Sequence, residues 1–69
     1  MAITINTDDY TEKHGREPQP MHAQTYVFRN LDDTWRMPVT GTWKNAQYLI
    51  RQQYKTQFGT NFGTVYLLP

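Results

Sequence analysis

The spacing of apolar residues changes several times along this chain, and each change marks an element. Ile3 and Ile5 alternate with polar neighbours, so residues 2 to 6 read as a short strand. From 7 to 20 no period holds. Apolar groups are few there, and Pro18 and Pro20 favour extended backbone for the residues before them, so this stretch reads as a flexible loop or arm. "AQTYVFRN" is rich in β-formers (Thr25, Tyr26, Val27, Phe28) and reads as a second strand. "NLDDTW" follows as a turn, because Asn and Asp bond their own backbone and tolerate tight conformations.

"TWRMPVTG" alternates again. Trp35, Met37 and Val39 fall on one face, and Arg36, Pro38 and Thr40 on the other. Pro38 has no N–H to give to a ladder, which places this strand at a sheet edge or at a bulge. "GTWKNAQYLIRQQYKTQFG" then takes up the helical period. Thr42 suits an N-cap and Gly59 a left-handed C-cap, giving a helix over about 42–58. At 100° per residue, Trp43, Ala46, Ile50, Tyr54 and Phe58 share one side, with Leu49 at its margin. That side is the expected core face. "TNFG" leads into a last strand, "TVYLLP".

The expected order is strand, long loop, strand, strand, helix, strand. This is an α+β chain: a small antiparallel sheet of three or four strands with one helix across a face. All 69 residues form one domain. A chain this short buries only about 60% of its unfolded surface, so its ten aromatic residues matter to a thin core. No apolar run approaches the roughly 20 residues that cross a bilayer. The N-terminus lacks the basic start and apolar stretch of a signal peptide. With no cysteine in the chain, the expectation is a cytoplasmic protein without a membrane partner.

Charge adds a second pattern. The net charge is +1, but all six acids lie in the first 33 residues, which sum to −3, while the remainder sums to +4. On the helix, Lys44, Tyr48, Arg51 and Lys55 form a stripe within about 60° of arc. It contains three cations, one aromatic and no acid. Such a stripe can meet phosphates, with Tyr48 stacking on a base, or an acidic protein surface. It can also be a solvated helix face, since Lys and Arg are good helix formers and Arg51 and Lys55 suit the C-terminal end of the macrodipole. The missing acids weigh against the last reading, because a solvated helix commonly mixes signs at i, i+4. Arg36 is a further candidate contact. If the helix covers one sheet face, Arg36 lies on the other.

Several chemistries are excluded. The chain has neither cysteine nor serine, so the usual Ser-His-Asp and Cys-His arrangements cannot form. His14 and His22 lie eight apart in or beside the loop and match no familiar ligand spacing. Asp8-Asp9 and Asp32-Asp33 fall in the loop and the turn. "GTNFG" lacks the glycines and the following Lys-Ser/Thr of a phosphate loop. The expectation is a protein that is not an enzyme, with no cofactor and no metal.

The segment "PVTGTWKNAQYLIRQQYKTQFGTNFGTVYLL", Pro38 to Leu68, runs strand, Thr N-cap, helix, glycine, strand. In this architecture it resembles several very small bacteriophage proteins that switch off host machinery, among them the small phage inhibitor of bacterial RNA polymerase and some anti-CRISPR proteins. The helix is basic here and acidic in the polymerase inhibitor, so no functional residue carries over. The resemblance implies a compact, cofactor-free inhibitor that acts by binding. The function expected first is therefore a phage or mobile-element inhibitor that occludes a site on a larger host complex handling nucleic acid. It would use Lys44, Tyr48, Arg51 and Lys55, with Arg36 second. Two alternatives stay open: a direct nucleic-acid-binding module using the same face, and a structural or assembly protein working as a homo-oligomer.

Overall fold

The computed structural model describes residues 3–69. Six elements follow in chain order: β1 (Ile3–Asn6), α1 (Asp8–His14), β2 (Ala23–Arg29), β3 (Arg36–Thr42), α2 (Trp43–Phe58) and β4 (Gly63–Leu67). The α+β architecture and the long helix laid on the sheet agree with the sequence reading. The first strand was expected from residue 2, and Ala2 lies outside the described residues.

The four strands form one sheet in the order β1-β4-β2-β3. β2 pairs antiparallel with both β3 and β4, but β1 pairs parallel with β4, Ile3 opposite Gly63 and Ile5 opposite Val65. The sheet is therefore mixed rather than purely antiparallel. The chain leaves β1, passes through every other element and returns beside it, so local spacing carries no trace of this pairing. β3 is an edge strand, and Pro38 sits opposite Val27 where its missing N–H costs least.

Register puts Ile3, Ile5, Val65, Leu67, Tyr26, Phe28, Met37 and Val39 on one face. α2 covers that face with Trp43, Ala46 and Ile50, all buried. Trp43 lies stacked on Phe28 at 6.0 Å and tilted against Tyr26 at 5.1 Å between ring centroids. The expected core face of α2 is correct for its first two turns and weakens beyond them. Tyr54 is half-buried, and Leu49 and Phe58 are exposed. The last turn leaves the sheet and packs on the β2–β3 turn instead, where Phe58 meets Trp35 edge-on at 5.2 Å.

The ends of α2 are closed as its sequence suggests. Thr42 Oγ1 accepts from Asn45 N, and Gly59 in the left-handed region donates its N–H to the Lys55 carbonyl. The Trp43 and Lys44 N–H groups donate to the carbonyls of His22 and Pro20. The segment before β2 thus satisfies the helix N-terminus, whose amides would otherwise be orphaned.

The stretch 7–20 is not a plain loop. It contains α1, and Asp8 and Asp9 occupy the first turn of that helix rather than a loop. Asn6 Oδ1 accepts from the Asp8 N–H, Lys13 and His14 end the helix, and Gly15 closes it at φ 78°. Each of these is a terminus signal. Only Tyr10 is buried in α1, so no apolar period existed to reveal it. Pro18 is also buried.

Candidate functional site

On α2, Lys44, Tyr48, Arg51 and Lys55 project away from the buried face. Tyr48 is 64% exposed, Lys44 and Lys55 are exposed, and Arg51 is half-buried. Arg51 is partly held because its Nε donates a long bond of 3.4 Å to the Ile3 carbonyl. That contact ties the helix to β1, the outer strand of the sheet.

The same contact builds a groove. Tyr48, Arg51, Gln52 and Lys55 form one wall, Ile3 lies at its base, and Asn61 and Phe62 of the α2–β4 connection form the end. The groove is open and holds about 800 Å³. Phe62 is 74% exposed, so two aromatic rings stand free around two cations. Among the described residues no acid lines the groove. The sequence did not single out Phe62 or Ile3. The signal available was an aromatic placed in a turn, "TNFG", where packing does not require one.

The stripe is brought together in part. Tyr48, Arg51 and Lys55 share the groove, and Lys44 lies on the same helix face one turn before Tyr48, outside the groove lining. Arg36 does not join them. It sits on β3, at the sheet edge opposite β1, and alternation turns it to the face away from α2. Its guanidinium forms two 2.8 Å bonds to the Asp33 carboxylate, which holds that carboxyl below its usual range.

Arg29, on the same far face, is also occupied. It stands over the Tyr66 ring at 4.5 Å, lies 3.8 Å from Asp9, and donates to the carbonyls of Asn30 and Leu31. The two arginines of the sheet, Arg29 and Arg36, thus have carboxylate partners, while Arg16, in the connection after α1, has none among the described residues. Among the described residues Lys44, Arg51 and Lys55 have none. The charge asymmetry of the chain is thus partly spatial: Asp9 and Asp33 partner the two sheet arginines, and the stripe on α2 has no acid beside it among the described residues.

Of the two histidines, His14 makes a side-chain contact and His22 contributes through its backbone. His14 packs on the Tyr10 ring at 4.2 Å, and the His22 carbonyl accepts from both Trp43 N and the Tyr26 hydroxyl. Among the described residues no three His, Asp or Glu side chains gather at one point, and no helix is long and apolar enough to cross a membrane. Comparison with protein-family models, curated proteins and solved structures finds no match to this chain.

Proposed function

We propose that this chain is a small non-enzymatic binding protein of the phage or mobile-element inhibitor type. It acts in the host cytoplasm by occluding a site on a larger host protein complex that handles nucleic acid. The observation that carries this reading is the groove beside α2. There Arg51 and Lys55, without carboxylate partners among the described residues, line a groove with two exposed rings, while the arginines of the sheet, Arg29 and Arg36, are paired. Exposed aromatic and arginine side chains around a concave surface are the usual anchors of protein interfaces. Tyr48, Arg51 and Lys55 stand on one helix, α2, which is capped at both ends.

A second reading rests on the same rings. Tyr48 and Phe62 could stack on bases while Arg51 and Lys55 meet phosphates, making the chain a direct nucleic-acid binder. A net charge of +1 argues against it as the main activity.

Affinity capture from bacterial lysate, with and without nuclease, tests the two. Wild-type protein should retain one stoichiometric protein complex after nuclease, and the Arg51→Glu/Lys55→Glu variant should lose it. Nucleic acid alone, released by salt, would transfer the assignment to the second reading.

A further inference from the structure

Resting on the reading above, we propose that the groove beside α2 seats an extended acidic segment of the partner protein, with carboxylates at alternate positions and an apolar residue two further on. The argument begins with spacing. Arg51 and Lys55 are one helical step of four apart, about 6 Å along the axis. Same-face residues of an extended chain are about 6.6 Å apart. Two carboxylates at i and i+2 therefore reach both cations without bending the segment. Tyr48 lies about 4.5 Å beyond Arg51 along the axis, about 2 Å short of residue i+4 of the segment, and its long side chain leans toward the helix N-terminus and spans that gap. Its exposed phenol ring offers that residue an apolar seat, while Phe62 stands at the other end of the groove, past Lys55.

The charge of the groove selects the occupant. Among the described residues its charged lining is Arg51 and Lys55, both cationic, with Asn61 and Gln52 as neutral hydrogen-bonding groups. An apolar segment alone would desolvate two cations without compensation. A basic segment would be repelled. A nucleic acid strand fits less well than a short peptide, because a chain of net charge +1 lacks the broad basic surface such a strand follows. A longer strand would add Lys44, one turn beyond Tyr48, while Arg29 and Arg36 on the far face are already committed to Asp9 and Asp33. The groove also lies beside β1, the outer strand, so an extended chain can lie along it without displacing a sheet neighbour.

The test uses capped peptides and full-length protein labelled with nitrogen-15. The probe carries glutamates at positions one and three and phenylalanine at five, with threonines between, in both chain directions. One control has the same composition with the glutamates adjacent. A second replaces both with glutamine, and a third probe is oligothymidine. The alternating peptide should shift the amides of Tyr48, Arg51, Lys55 and Phe62 and bind at least about tenfold tighter than either control peptide. Lys55→Glu should abolish that preference, and because Lys55 has no ion pair among the described residues its spectrum should remain that of the folded protein. Equal binding of the shuffled peptide, no shift at millimolar peptide, or tighter binding of oligothymidine at the same amides would each overturn the proposal. Lysate capture run beside it separates the two levels of failure. If Lys55→Glu protein still retains the partner complex, the binding function stands and the groove assignment falls. If wild-type protein retains nothing, the binding function itself falls, and this proposal with it.

Discussion

The phenol of Tyr54 occupies the space where residue 63 would carry a side chain. A β-carbon on Gly63 would lie 2.6 Å from Tyr54 Cζ, and the glycine holds φ 143° at the start of β4. The close approach lets the third turn of α2 settle onto the sheet where β4 begins. Gly63→Ala must therefore push the ring away as well as strain the backbone. We expect a loss of about 1–3 kcal/mol in chemical denaturation. Combining it with Tyr54→Leu should cost less than the sum of the single changes, because the two act on one contact. Simple additivity would show that the ring does not pack there.

Trp43 and Lys44 are adjacent in sequence and opposite in role. Trp43 is buried against Tyr26 and Phe28, and Lys44 is exposed. Trp43→Ala should destabilise by about 3–5 kcal/mol. Lys44→Ala should change stability by less than about 0.5 kcal/mol. Denaturant midpoints for the two proteins check both, and similar values would refute the orientation of α2.

Tyr26 gives the fold an alkaline limit. Burial raises its pKa first, with a smaller contribution from Tyr10, and its hydroxyl donates to the His22 carbonyl at 2.7 Å. The folded state thus keeps the neutral phenol where the unfolded chain ionises near pH 10. Its stabilisation is complete below about pH 10 and is lost as pH rises through the raised value. Thermal melts from pH 8 upward should show the fall, and Tyr26→Phe should flatten it while costing about 1 kcal/mol at neutral pH through the lost hydrogen bond.

Arg36 serves the β2–β3 turn and not the groove. Arg36→Gln should leave partner capture unchanged. It should instead raise the Asp33 carboxyl pKa toward its ordinary value, because the lost hydrogen bond is the main cause of the lowering. Asp33 is a group with a depressed folded value, so its contribution exists above the unfolded pKa and fades as pH falls through the lowered one. Carbon-13 titration of the carboxyl reads this directly. Both side chains face solvent, so salt should diminish the effect.

The sequence by itself determined the elements whose signals are local. α2 was legible from Thr42, Gly59 and one period of Trp43, Ala46 and Ile50, because capping and helical spacing act within a few residues. β2 and β3 were legible from alternation, and Pro38 marked the edge of the sheet. α1 was missed because its seven residues bury one side chain. Its stability comes from caps and from seating Tyr10 in a core the other elements build. Only tertiary structure decided that β1 returns beside β4 in parallel. Across 60 residues of separation the pairing is set by which apolar faces complete one core, and no local pattern encodes that. The same closure decided the candidate site. Ile3 and Phe62 flank the stripe only because β1 and the α2–β4 connection meet there. Arg36, alike in chemistry and near in sequence, was carried to the far edge and paired with Asp33.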